Sequence, residues 1–162
     1  MDITILPMSQ GDIDEVLKIE DVSFPRPWSR SQFEKELQNP FSRSFVARLD
    51  KSNNKTLVGY IIIWLVAEEA HILNIAVHPD FKKKGIATKL IQFILDFLAK
   101  QYARAVYLEV RHSNTAAQML YKGFGFKEIG IRKGYYSDNN EDAIVMGLEM
   151  NITQNLKLKS QK

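Results

Sequence analysis

The run Ala70-His71-Ile72-Leu73-Asn74-Ile75-Ala76-Val77-His78-Pro79-Asp80-Phe81-Lys82-Lys83-Lys84-Gly85-Ile86-Ala87 decides the fold. Ala70 to Val77 reads as a strand that ends at His78-Pro79-Asp80. After Lys84 comes a long helix, with Ala87, Leu90, Ile91, Ile94 and Leu98 on one stripe. A helix start exposes unpaired backbone N–H groups and a partial positive charge, which together bind phosphate oxygens. The lack of bulk at Gly85 and Ala87 lets a ligand approach the backbone. The same residues also fit a solvated basic turn. Neither of the common phosphate loops, Gly-x-Gly-x-x-Gly or a glycine loop closed by Lys-Ser or Lys-Thr, is present.

Working outward, Ile3 to Pro7 reads as an opening strand, and Ser9 caps a helix that turns Ile13, Val16, Leu17 and Ile19 towards the core. Phe24 to Trp28, with Pro25 and Pro27, breaks that helix. Ser29 caps a second one carrying Phe33, Glu36 and Leu37, which Asn39 and Pro40 end. Ser44 to Leu49 and Thr56 to Val66 read as a hairpin joined by the polar turn Asp50 to Lys55. Ile61, Ile62 and Ile63 are apolar in succession, which predicts a central strand buried on both faces. Further on, Ala105 to Val110 is a strand, Asn114 to Gly123 a helix, and Phe126 to Arg132 and Asp142 to Met150 two final strands around a polar loop at Ser137 to Glu141. The order predicts an α/β (α+β) mixed sheet with helices on both faces. Residues 1–150 form one domain, and 151–162 a polar, disordered tail.

The bulk properties narrow the function. With 162 residues, 45% apolar and 25% charged, the chain suits one ordinary hydrophobic core. Its longest apolar run, Tyr60 to Ala67, is too short to cross a bilayer and lacks signal-peptide flanks, so the expected location is cytoplasmic, away from membranes. The absence of cysteine removes disulfides, thiolate metal sites and any acyl-cysteine intermediate. His71, His78 and His112 match no metal-ligand spacing, so no metal is expected. The net charge is +3, and much of the excess sits in Lys82 to Lys84 and after Asn151. A lysine run suits a solvated turn, a phosphate-rich cofactor or an RNA backbone, and charge alone does not choose. No recognisable RNA-binding motif interleaves basic and aromatic residues, so direct nucleic-acid binding is not expected.

Two further features carry chemistry. Tyr107, Glu109 and Arg111 share one face of their strand and Val106, Leu108 and Val110 the other, so Glu109 emerges at a strand end. Viewed singly it suits half of a structural Glu-Arg pair, with Asn114 a plain N-cap. Tyr121 shares a helical stripe with Ala117, Leu120 and Phe124. It is either a core aromatic or a phenol offering its hydroxyl to a cleft.

Taken together, these residues resemble the GCN5-related N-acetyltransferases, and within them the ribosomal-protein-alanine N-acetyltransferases. The acetyl-CoA loop of that family is Gln/Arg-x-x-Gly-x-Gly/Ala, and here it reads Lys82-Lys83-Lys84-Gly85-Ile86-Ala87, departing at its first position. The narrower match rests on Phe24-Pro25-Arg26-Pro27-Trp28-Ser29, Asn74 to Val77, Leu108 to Asn114, Leu120-Tyr121, Gly125-Phe126, Tyr135-Tyr136 and Glu141-Asp142-Ala143, in family order.

The resemblance implies a mostly antiparallel sheet of about six to seven strands and acetyl-CoA as co-substrate. It implies that Ile75, Ala76 and Val77 pair with the pantetheine arm, that Lys83, Lys84, Gly85, Ile86, Ala87 and Thr88 cradle the pyrophosphate, and that Asn114 is a further cofactor contact. Glu109 stands at the position of the general base and Tyr121 at that of the general acid. Phe24, Trp28, Tyr135, Tyr136 and Glu141 would wall the acceptor, the amino terminus of a protein, ribosomal in the narrower match. A broader amino-terminal or lysine acetyltransferase, and a non-catalytic acetyl-CoA-binding module, are the rival readings.

Overall fold

Ile61, Ile62 and Ile63 are each fully buried, so both faces of the strand that carries them are covered. In the computed structural model, which describes residues 1–151, that strand is β3 (Asn54–Val66), lying between β2 (Ser42–Lys51) and β4 (Glu69–Val77). The other strands are β1 (Ile3–Pro7), β5 (Ala105–Arg111), β6 (Lys127–Tyr136) and β7 (Glu141–Glu149). The α-helices among the described residues are α1 (Ile13–Ser23), α2 (Arg30–Gln38), α3 (Ile86–Lys100) and α4 (Thr115–Gly123). The strands form one sheet in the order β1-β2-β3-β4-β5-β7-β6. β4 and β5 run parallel, while β1–β2, β2–β3, β5–β7 and β6–β7 are antiparallel. This is the expected mixed, mostly antiparallel architecture. The expected tail lies, apart from Asn151, outside the described residues.

The chain divides into two compact units, Met1–Trp64 with Asn74–Leu95, and Leu65–Leu73 with the chain from Asp96 onward. In the first unit Asp12 accepts the Ser9 backbone N–H at 2.8 Å and pairs with Arg48 at 2.5 Å. Arg48 also reaches Glu15 at 3.1 Å, which ties the start of α1 to β2. A short 3-10 turn, Gln10–Asp12, stands between the Ser9 cap and α1. Ser29 and Gln32 cap α2 reciprocally, the Ser29 Oγ accepting from the Gln32 N–H and the Gln32 side chain from the Ser29 N–H. The β2–β3 hairpin is tighter than expected. Lys51 pairs with Asn54, and Ser52 and Asn53 sit at φ 41° and 73°, the left-handed pair that a two-residue turn demands.

At Gly59 in β3 the packing is tight enough that any side chain would push its neighbours aside. A β-carbon there would stand 3.0 Å from the Ala76 carbonyl oxygen, 3.2 Å from Leu90 Cδ1 and 3.3 Å from Ile86 Cγ2. The glycine therefore lets β4 and the first turns of α3 close on β3. The buried residues of α3 are Ile86, Leu90, Ile91, Ile94 and Leu98; Ala87, expected among them, is half-buried.

In the second unit β5 alternates as expected, with Val106, Leu108 and Val110 buried and Tyr107, Glu109 and Arg111 less completely so. β6 runs on to Tyr136 and β7 begins at Glu141, so the polar loop is shorter than its composition suggests. Side chains draw it in: the Asp142 carboxylate accepts the Gly134 N–H at 2.8 Å, and Arg111 pairs with Asp138 at 2.7 Å.

Gly59→Val should cost about 2 kcal/mol through overpacking and lower the melting temperature by roughly 4–8 °C in calorimetry. An unchanged melting temperature would show that the β3–β4–α3 contact is not close.

Candidate active site

β4 brings Ile75, Ala76 and Val77 to its C-terminal end, Ala76 buried and its neighbours half-buried. The chain is then pinned to β3 by the His78 N–H, which donates to the Val58 carbonyl at 2.8 Å. The His78 ring accepts the Asp80 N–H at 3.1 Å and so caps the short turn Pro79–Phe81. Lys82, Lys83, Lys84 and Gly85 are all exposed. Lys83 and Gly85 lie in the left-handed region, at φ 62° and 80°. A β-carbon at Gly85 would meet nothing within 4 Å, so glycine serves the turn rather than the packing. The bond from the Lys89 N–H to the Gly85 carbonyl, at 3.1 Å, opens α3. The N–H groups of Ile86, Ala87 and Thr88 precede it and have no partner within the helix. With two exposed lysines beside them, these donors fit the pyrophosphate of a nucleotide-bearing co-substrate.

In the second unit the Glu109 side chain is only 9% exposed and accepts a hydrogen bond from His71 Nε2 at 2.5 Å. The Arg132 guanidinium lies 3.6 Å from its other oxygen. The His71 hydrogen bond, aided by the charge of Arg132, holds the Glu109 carboxyl below the usual glutamate range despite burial. The Glu109-Arg111 pair weighed above does not form. Arg111 instead pairs with Asp138 and, at 3.1 Å, with Glu141, and its guanidinium lies 4.0 Å from the centroid of the Tyr136 ring.

Tyr121 is buried at 7% exposure, its ring edge-on to Phe126 with centroids 5.8 Å apart. Burial pushes its phenol up to about 12. Asn114 is the N-cap of α4, its side-chain oxygen accepting the Ala117 N–H at 3.2 Å. Buried Gln118 holds the turn before that cap by donating to the carbonyls of Arg111 and His112, at 3.0 and 2.9 Å. Glu141 accepts the Ser113 N–H at 2.7 Å, and its bonds from Ser113, Arg111 and Asn139 push its carboxyl down to about 2. Tyr135 is 46% exposed, whereas burial pushes Tyr136 up to about 12.

Phe24 and Trp28 belong to the first unit, where both are half-buried and Trp28 packs on Phe33 with ring centroids 5.3 Å apart. Three polar residues in these networks escape sequence reasoning. Glu20 is 1% exposed and accepts from Tyr60, Asn74 and Trp28. The signal was present, since Glu20 continues the inward stripe of Ile13 and Val16 at helical spacing. His71 and Arg132 become partners of Glu109 only through strand pairing, which no local pattern encodes.

Residues 13–126 match the model of the acetyltransferase (GNAT) family. The chain belongs to the GNAT acetyltransferase family. Among GNAT relatives, a Bacillus subtilis (strain 168) protein provisionally named ribosomal protein bS18-alanine N-acetyltransferase is 41% identical over 145 residues, 89% of this chain and 93% of that one. The crystal structure of the ribosomal-protein-S18-alanine N-acetyltransferase from Escherichia coli has a TM-score of 0.83 and 34% identity, covering 93% of this chain and 95% of that chain. A Saccharolobus solfataricus N-alpha-acetyltransferase is 34% identical over 158 residues, 90% of this chain and 92% of its own. The GNAT chain described here is thus an N-acetyltransferase. Among its described residues no group of three or more His, Cys, Asp or Glu is placed to hold a metal ion, and no helix is long and apolar enough to cross a membrane.

Because its carboxyl is depressed in the folded state, Glu109 adds stability above the unfolded glutamate value of about 4.3, and this is lost as pH falls through the folded value. His71→Ala should move the Glu109 titration midpoint upward in carboxyl carbon-13 NMR. It should also destabilise the protein more at pH 7 than below pH 4 (about 4, below the ordinary glutamate value). A midpoint that stays in place would dismiss His71 as the cause.

Proposed function

We propose that this chain moves the acetyl group of acetyl-CoA directly, in a ternary complex, to the amino-terminal nitrogen of a cytoplasmic protein, specifically the amino-terminal alanine of a small-subunit ribosomal protein. The observation that carries the chemistry is geometric: one unit holds a poorly exposed carboxylate, Glu109, hydrogen-bonded to His71, and a buried phenol, Tyr121, the two groups suited to accept one proton and donate another. In this reading Ile75, Ala76 and Val77 take the pantetheine arm through their backbone. Lys83, Lys84, Gly85, Ile86, Ala87 and Thr88 take the pyrophosphate, and Asn114 adds a contact from the α4 cap.

The acceptor nitrogen forms its bond to the thioester carbon as the carbon–sulfur bond breaks. Glu109 takes the proton that the nitrogen sheds, directly or through water, and Tyr121 gives its proton to the departing sulfur. A carboxylate below the ordinary glutamate range is a weak base for a free ammonium, so the terminus attacks as the neutral amine. A pKa of about 8 leaves a usable fraction of that form at neutral pH, and the proton that Glu109 takes becomes far more acidic as the nitrogen–carbon bond forms. The buried phenol keeps its hydrogen until the thiolate develops.

The acceptor choice follows from magnitudes and from the relatives. An amino terminus has a pKa near 8 and a lysine side chain one near 10.4, so freeing lysine at neutral pH costs roughly 3 kcal/mol more. The assignment of the Bacillus and Escherichia relatives to an alanine terminus supports the ribosomal acceptor. Phe24, Trp28, Tyr135 and Tyr136 wall the acceptor, and Glu141 shapes that wall by holding the β6–β7 hairpin through Arg111 and Ser113. A second reading, broader amino-terminal specificity, is favoured by the Saccharolobus relative, whose 34% identity equals that of the Escherichia structure.

Glu109→Gln and Tyr121→Phe should each fold and lower kcat by roughly a hundredfold or more. Full rates in both variants would remove these two residues from the reaction. When the pure protein and acetyl-CoA are offered a peptide library, mass spectrometry should find acetyl on alanine-initiated amino termini and spare lysine side chains. Modification of many different termini would establish the broader reading.

A further inference from the structure

The segment Phe24-Pro25-Arg26-Pro27-Trp28 leaves α1 and re-enters the fold at the Ser29 cap, and one residue holds both its ends. The Glu20 carbonyl accepts the Phe24 N–H at 3.2 Å. The Glu20 side-chain Oε2 accepts the Trp28 N–H at 2.9 Å. Its Oε1 accepts from the Tyr60 hydroxyl at 2.6 Å and from the Asn74 amide at 2.7 Å. The carboxylate is thus fixed from β3 and β4 while it grips the far end of the arc.

The ring of Trp28 is held by the same anchor through a second route. It packs on Phe33 at 5.3 Å, and Phe33 packs edge-on against Tyr60 at 6.0 Å. Tyr60 therefore backs the Trp28 side chain, through Phe33, with a ring that phenylalanine would also supply, while Asn74 holds Glu20 Oε1 independently of the Tyr60 hydroxyl. Pro25, Arg26 and Pro27, between the two held ends, are exposed. Burying a carboxylate is expensive unless every oxygen is satisfied, and apolar residues would fill the same core space at lower cost. A carboxylate retained here gives what they do not: acceptors aimed at the N–H of one particular loop residue.

We propose that Glu20 is a positioning residue for the acceptor, setting the shape of the 24–28 arc against which the acceptor amino terminus docks. This rests on the reading of Phe24 and Trp28 as acceptor walls. It places specificity under the control of a side chain that touches no substrate. Tyr60→Phe separates this role from simple packing, because it removes a donor to Oε1 and leaves the bond to the Trp28 N–H.

The experiment compares wild type, Glu20→Gln and Tyr60→Phe by amide hydrogen exchange at Trp28 and by steady-state kinetics with an alanine-initiated peptide. In Glu20→Gln the Trp28 amide should exchange at least about tenfold faster, since exchange tracks local opening. The KM for peptide should rise about tenfold, with the KM for acetyl-CoA within about twofold of wild type. Tyr60→Phe should lower the melting temperature and leave the peptide KM near wild type. Unchanged Trp28 exchange in Glu20→Gln would overturn the tether. Faster exchange with an unchanged peptide KM would reduce Glu20 to a packing role and overturn the proposal. If wild type acetylated no amino-terminal peptide at all, the acceptor reading would fall, while amide exchange would still report on the tether by itself.

Discussion

The carbonyl oxygen of Ala76 lies 3.0 Å from where a β-carbon on residue 59 would stand, with Leu90 and Ile86 only slightly farther. That approach sets where α3 begins relative to the ends of β3 and β4. A phosphate cradle made of backbone N–H groups depends on the position of the helix start, and little on which side chains surround it. The proposed cradle should therefore tolerate lysine at position 82, where the family writes arginine or glutamine. The fixed elements are the glycine contact, the tie from His78 to Val58, and the left-handed turn at Gly85.

Much of the architecture was legible because its causes are local. The isoleucine run of β3, the Ser29-Gln32 cap of α2 and the α3 stripe each follow from patterns a few residues long. Departures arose at two turns, one by local backbone conformation and one by a side chain distant in sequence. Ser52 and Asn53 carry no glycine to announce a two-residue hairpin, yet both adopt positive φ. The 137–140 turn is drawn in by Arg111, which reaches it from another strand.

For the site, residue types were legible and their partners were not. Periodicity places Glu109 on a strand face and Tyr121 on a helical stripe, the family resemblance singles them out, and the surroundings of each follow from contacts distant in sequence. His71 sits on the strand parallel to that of Glu109, and the Ile72↔Leu108 register needed to bring them together is a property of the sheet. Glu20 is a different case. A glutamate on the apolar stripe of an amphipathic helix is a conflict between local pattern and composition, and here the conflict marks a buried, fully engaged carboxylate.

Holding the 24–28 segment at its two ends divides the chain's tasks sharply. The anchors are backbone N–H groups, which every residue but proline supplies, and the exposed middle carries no core contact to defend. Side chains at 25, 26 and 27 are therefore free to drift or to be chosen without disturbing the core beneath them. If the arc docks the acceptor as proposed, recognition could change at these three positions while the fold that performs the transfer stays the same.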